Sequence, residues 1–258
     1  GEVTLSDVAQ SESSLAGAKA KLIIAENEVI TNKLNFENVI GPLSDLNSLS
    51  SDLAISINLP NSLNNALEVS RKNNPDLIIS KLEYEQSEKD VQIARSDLSP
   101  SASISFEKSY SEDLSATYDE REKDILKATV SWPFYSGGKN IANLNKNKNL
   151  KTRKRLLVDS AVKTNEAVVA SAWSNFLSNQ SLLSSVEAQV RAAEIANEGI
   201  TAEYESGVGR TTLDVIQSNS LLLNALITRA DSERNLILSQ FNLLKSMGLL
   251  NSDHLKIN

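Results

Sequence analysis

The chain has 258 residues and a formal net charge of −7, which argues against nucleic acid as its main partner. It has no cysteine, so disulfides and thiolate metal sites are excluded, and no run of 18 apolar residues, so no transmembrane helix is written in it. Aromatics make up only 5%, with 9 glycines and 5 prolines, a composition suited to long helices rather than to a core built around large rings.

From about Leu5 to Val39 no proline interrupts the chain, and Leu15, Leu22, Ala25, Val29 and Phe36 recur at steps of three, four or seven. That spacing predicts a helix with a narrow apolar seam, stopped by Gly41-Pro42. A Ser/Asn/Leu connector leads to Pro60. Ser62–Asn74 reads as a short helix, ended by Asn74-Pro75 because a residue before proline avoids the helical region. A further helix is expected from about Asp76 to Asp97.

The period then changes to two. Ala102, Ile104, Phe106 and Tyr110 alternate with serines and Glu107; Ala128, Val130, Trp132 and Phe134 alternate with Lys127, Thr129, Ser131 and Pro133. These are two strands, each with one apolar and one polar face. The hydrophilic stretch between them is expected to be a loop, at about 111–124. At about ten residues each, the strands are long enough to cross a bilayer when tilted, and Phe106, Tyr110, Trp132, Phe134 and Tyr135 suit aromatic girdles. An isolated pair would leave strand edges unsatisfied in lipid, so it needs partners to close a barrel.

From Gly138 to about Tyr204 no proline occurs. Leu157, Ala161, Val168, Ala172, Phe176, Leu183, Val186, Val190, Ala193 and Ile200 predict one helix of roughly 100 Å at 1.5 Å per residue. A helix that long must pack lengthwise on others, as a coiled coil does. A returning helix is expected to run to Met247.

One phrase occurs twice. GEVTLSDVAQ opens the chain and GVGRTTLDVIQ precedes the last helix, each with a glycine, a threonine, an Asp-Val pair and a glutamine. The spacing from Asp7 to Gly41 equals that from Asp214 to Gly248. Between these markers Gln10/Gln217, Leu15/Leu222, Ala18/Ala225, Glu26/Glu233 and Ile30/Ile237 match without a gap. A repeat of this length is a structural unit used twice.

In this order the motifs GEVTLSDVAQSESSLAGAKAKLIIAENEV, NLPNSLNNALEVSRKNNPDL, DLSPSASIS, WPFYSGGKN and AEYESGVGRTTLDVIQ resemble the TolC family of outer-membrane efflux and type I secretion channels. The resemblance implies a mainly α fold with one β-hairpin: long antiparallel coiled-coil helices plus two strands of a transmembrane barrel, trimeric when complete. It implies the returning helix of a first periplasmic hairpin at 1–41, an equatorial connector at 42–60 and helices leading to the barrel at 61–98. A transmembrane hairpin follows at 99–137, a second long helical hairpin at 138–248 with its tip at about 204–214, and a tail at 249–258. On this reading the chain corresponds to the C-terminal three-fifths or so of a family member, beginning at the first tip, without the first outgoing helix and first strand pair.

The function implied is export of small molecules or proteins from a Gram-negative cell. The implied homotrimer sits in outer-membrane lipid with a periplasmic extension and works with a periplasmic adaptor (a membrane fusion protein) and an inner-membrane transporter. No enzymatic activity, cofactor, metal or nucleic acid is expected. Asp7 and Asp214 would form the pore constriction, although each is also placed to offset a helix dipole as a first-turn acid. Gln217 stands where the family has a second ring carboxylate. Tyr204 and Arg210 match positions that tie neighbouring helices in the closed state, and Gly1, Gly207 and Gly209 belong to the tip turns. The second tip departs from the family in having one residue more between Tyr204 and Asp214. The basic run 139–155 carries seven positive charges and no acid; without interleaved aromatics it reads as a solvated helix face near the membrane. His254, the only histidine, supports neither a triad nor a metal site. A rival reading, an elongated periplasmic coiled-coil adaptor of a secretion system, would need several more β segments flanking its hairpin.

Overall fold

The computed structural model describes residues 5–43, 45–46, 59–115 and 118–251. It contains α1 (Leu5–Val39), α2 (Leu63–Asn73), α3 (Pro75–Ser96), β1 (Ser101–Ser115), β2 (Tyr118–Ser131), α4 (Lys139–Glu205) and α5 (Thr212–Met247). Most of the connector expected at 42–60, and the tail after Asn251, lie outside the described residues. The elements form two compact units, Leu67–Val168 and a second made of Gly1–Ala66 with Val169–Asn258.

In the unit Leu67–Val168, the break between α2 and α3 is chemical. Pro75 cannot donate a backbone hydrogen bond, and Asn74 caps α3: its Oδ1 accepts from the amides of Asp76 (2.9 Å) and Leu77 (3.3 Å). The Asn74 amide donates to Asn165 Oδ1 at 2.8 Å, and Asn165 donates to Ser70 Oγ. All three side chains are buried, so this chain of hydrogen bonds fixes α4 against the α2–α3 joint. Ion pairs join the same helices further along: Arg71–Glu166 (2.6 Å), Lys154–Glu83 (2.7 Å) and Lys151–Glu88 (2.8 Å).

The strands form a two-stranded antiparallel sheet. Its register pairs Ala102 with Val130, Ile104 with Ala128 and Phe106 with Leu126, a single apolar stripe; Ser103/Thr129 and Ser105/Lys127 lie on the other face. Two expectations are corrected here. The stretch expected as a loop at about 111–124 is largely strand: pairing continues to Glu112↔Glu120, with a register irregularity before Ser115↔Tyr118. Lys108 stands opposite Asp124 and pairs with Glu122, while Ser111 faces Arg121 and Glu112 faces Glu120, so polarity did not preclude a ladder. Conversely, β2 stops at Ser131, and Trp132 and Phe134 lie beyond it, because Pro133 has no amide to donate.

In the other unit, the C-terminal part of α4 packs on α5. Buried or half-buried positions on α4 run Val169, Ala172, Phe176, Asn179, Leu183, Val186, Val190, Ala193, Asn197 and Ile200, in alternating steps of three and four. On α5 they run Val215, Ser218, Leu222, Ala225, Arg229, Ser232, Leu236, Ser239, Leu243 and Ser246 in the same rhythm. One row of α5 is therefore small at every seventh residue, which lets helices approach closely. Val190, Ala193 and Ala225 meet in one cluster, with Leu222 and Leu226 against it.

The expected α4 seam is displaced at its start. Leu157 and Val168 are 44% and 51% exposed, whereas Val169 is fully buried and Val158 half-buried. Apolar residues occupy both phases (Leu156-Leu157-Val158, Val168-Val169), so spacing alone does not choose. Asn165 chooses, because it must reach Ser70 and Asn74. The seam there takes two consecutive steps of four, Ala161 to Asn165 to Val169, a local shift of phase.

Candidate functional site: the tip between α4 and α5

The turn joining α4 to α5 is built from backbone chemistry upward. Gly207, at φ 76°, follows the end of α4, and two amides reach back into its last turn: Gly207 N to Tyr204 O (3.1 Å) and Val208 N to Glu203 O (3.0 Å). This paired closure needs a left-handed residue, which glycine supplies at little steric cost. Gly209 is also left-handed, at φ 68°.

Thr211 then caps α5 from extended backbone. Its Oγ1 accepts from Asp214 N (3.2 Å), while Asp214 Oδ2 accepts from Thr211 N (2.8 Å) and Thr211 Oγ1 (2.9 Å), a reciprocal capping box. The Thr211 amide foremost, then its hydroxyl, hold the Asp214 carboxyl below its ordinary range, and Arg210 adds in the same direction. Asp214 is thus a fixed negative charge at the head of a helix, where the helix dipole also favours it.

Tyr204 and Arg210 bond across the same turn. Arg210 Nε donates to Glu203 Oε2 at 2.6 Å, which raises the guanidinium pKa further, and Tyr204 Oη lies 3.2 Å from Thr212 Oγ1. Both side chains therefore tie the end of α4 to the start of α5. Glu203 and Thr212 were not singled out from the sequence; the threonine of the repeated phrase was, and Thr-x-x-Asp, the capping-box spacing, occurs at Thr4/Asp7 as well as Thr211/Asp214. Gly1 and the Asp7 side chain lie outside the described residues. Deeper in the seam, Asn197 Oδ1 is buried and has no hydrogen-bond partner among the described residues. No cluster of three or more His, Cys, Asp or Glu able to hold a metal occurs among the described residues.

Among the described residues, one β-hairpin lies between long helices, and the last two helices are joined by a capped glycine tip. Residues 66–249 match the outer membrane efflux protein family, and the chain belongs to it. The outer membrane efflux protein BepC of Brucella suis biovar 1 (strain 1330) is 25% identical over 256 residues, covering 99% of this chain and 55% of BepC. The chain thus spans about half the length of that relative. Among solved structures, the open state of the Neisseria gonorrhoeae MtrE outer membrane channel superposes with a TM-score of 0.77 at 19% identity, covering 93% of this chain and 55% of MtrE. Vibrio cholerae VceC gives 0.73 at 18%, covering 95% and 58%. Membership places the chain in the outer membrane, in a family of efflux channels rather than enzymes.

Proposed function

We propose that the chain is a subunit of a trimeric channel-tunnel that exports small molecules or proteins, opened by a periplasmic adaptor and an inner-membrane transporter. The observation that carries this is the hairpin. Its apolar stripe is uncovered, with Ile104 79% and Phe106 66% exposed, and among the described residues no third strand pairs with either edge. In lipid an open edge strands backbone donors and acceptors, so the sheet closes only with strands from further copies and segments. The helices on either side then extend into the periplasm, with 1–41 and 138–248 as hairpin arms and the tips at the entrance.

In this assembly Asp7 and Asp214 of three subunits form the constriction, and the closed state is held by contacts made by Tyr204 and Arg210. The rival adaptor reading differs in one consequence: an adaptor's hairpin carries no lipid-facing strands. Ile104→Asp with Phe106→Asp is expected to remove the protein from the detergent-requiring outer-membrane fraction without melting its helices. If the double variant fractionates with the outer membrane as the parent does, the hairpin is not lipid-embedded.

A further inference from the structure

The stretch 125–158 contains no acidic residue and eight basic ones, in a chain whose net charge is −7. Two of the eight are neutralised within the fold, Lys151 by Glu88 and Lys154 by Glu83, and Lys127 lies on the strand. The other five, Lys139, Lys146, Lys148, Arg153 and Arg155, are all exposed on α4 and make no ion pair among the described residues. They are ordered in space. Lys139, Lys146 and Arg153 follow one another at seven-residue intervals along one line of the helix, and Lys148 and Arg155 along another.

What precedes them is aromatic. Trp132, Phe134 and Tyr135 are 62%, 85% and 83% exposed between the end of β2 and the start of α4. Trp132 Nε1 donates to Leu98 O (3.3 Å) and Asn140 Nδ2 to Asp97 O (3.0 Å), so this segment is fastened to the end of α3. Exposed aromatics at the end of an apolar stripe suit the boundary between hydrocarbon and headgroups. Basic residues just beyond that boundary suit anionic headgroups.

We infer that these five residues form a basic collar that binds the anionic phospholipid headgroups of the leaflet from which α4 emerges. This rests on the lipid-embedded hairpin proposed above. At 1.5 Å per residue, Lys139, Lys146 and Lys148 fall within about 14 Å of the start of α4. That span is covered by a headgroup layer of roughly 5–8 Å, the reach of long basic side chains and a Debye length of about 8 Å. Arg153 and Arg155 stand lower and feel the surface less. The collar sets how deeply the hairpin sits and resists its withdrawal.

The test is flotation of the assembled protein with vesicles of phosphatidylcholine alone or with about 30% phosphatidylglycerol, across a salt series. The parent is expected to bind anionic vesicles at least about tenfold better at low salt, with the excess shrinking as salt rises. Changing all five residues to Gln removes the excess and leaves binding to neutral vesicles as in the parent; K139Q/K146Q/K148Q removes more of it than R153Q/R155Q. An undiminished excess in the five-residue variant overturns the collar. So does a variant that loses self-association in neutral detergent but keeps its lipid preference, because its charges then pair with a second copy. Failure of the hairpin reading looks different: neutral-vesicle binding of the parent is then absent or indifferent to Ile104→Asp.

Discussion

The two copies of the repeated unit, α1 and α5, carry the same pattern and meet different fates. Both are bounded alike, with α1 spanning 35 residues and α5 36, and each is followed by a left-handed glycine, Gly41 at φ 125° and Gly248 at φ 75°. Both carry a seam: Ser11, Leu15, Ala18, Leu22, Ala25, Val29 and Phe36 in α1 stand where Ser218, Leu222, Ala225, Arg229, Ser232, Leu236 and Leu243 stand in α5. Yet Ala225 and Leu243 are buried, while Ala18 is exposed and Phe36 only half-covered. α1 touches α5 through contacts such as Lys21 Nζ to Asn224 Oδ1 (3.1 Å) and otherwise presents its apolar residues outward. A heptad seam is therefore an address for a partner helix and not a guarantee of burial. α5 has α4, whereas among the described residues the apolar residues of α1 stay largely exposed.

The largest effect expected from this difference comes from one substitution made in both copies. Ala225→Asp puts a carboxylate at a position 1% exposed in the seam and is expected to lower the stability of the chain by roughly 3 kcal/mol. Ala18→Asp, at the equivalent position, is expected to change it by less than about 0.5 kcal/mol. Urea midpoints of the two variants check this, and equal losses would erase the distinction between the copies.

A smaller change sharpens it in the opposite direction. Asn197→Leu removes the buried carbonyl that lacks a partner and extends the apolar seam, so the α4–α5 pair is expected to gain about 1–2 kcal/mol. Native-state hydrogen exchange reads this locally: α5 amides near Ser218 slow, and α1 amides do not. Unchanged or faster exchange in α5 would mean that Asn197 is satisfied by water.

The smallest effect lies at the cap. Thr211→Ala is expected to cost about 1 kcal/mol, and Thr4→Ala the same if the first tip is built alike. Because the cap depresses the Asp214 pKa, its contribution is complete above about pH 4 and is lost as pH falls through the lower, folded pKa. Asp214→Asn is therefore expected to remove that acid-side slope. A denaturation series from pH 2 to pH 6 follows it; a slope that survives the substitution would place the titrating group elsewhere.

The long elements were legible because their punctuation is strong. Gly41-Pro42, Asn74-Pro75 and Gly248 end helices for reasons that act within one turn, and the alternation from Ala102 to Phe106 fixes the facing of the sheet. What escaped was decided by distant partners. The phase of α4 near Val168 depends on Asn165 finding Ser70 and Asn74, 95 and 91 residues away, which no local period contains. The ladder beyond Tyr110 pairs polar residues, Ser111 with Arg121 and Glu112 with Glu120, which no alternation of apolar and polar residues announces. At the tip, the glycines and Asp214 stood out by repetition, but Glu203 acquired its role only from the turn that folds Arg210 back on it.

The central claim, that the unit is written twice because both tips line one entrance, is tested most directly by ion selectivity. The assembled protein is placed in a planar bilayer under a salt gradient, and the reversal potential is recorded from neutral to acid pH. Within one chain the cap lowers the Asp214 pKa; crowding of like carboxylates in a ring raises it, so the ring titrates at higher pH than the isolated tip and as a coupled set. Cation preference is then present above the ring's pKa and declines as pH falls through it. Asp7→Asn and Asp214→Asn each weaken that preference, and the double variant loses nearly all of its pH dependence. A double variant that keeps the selectivity and pH profile of the parent would contradict the account and leave both aspartates as helix caps alone.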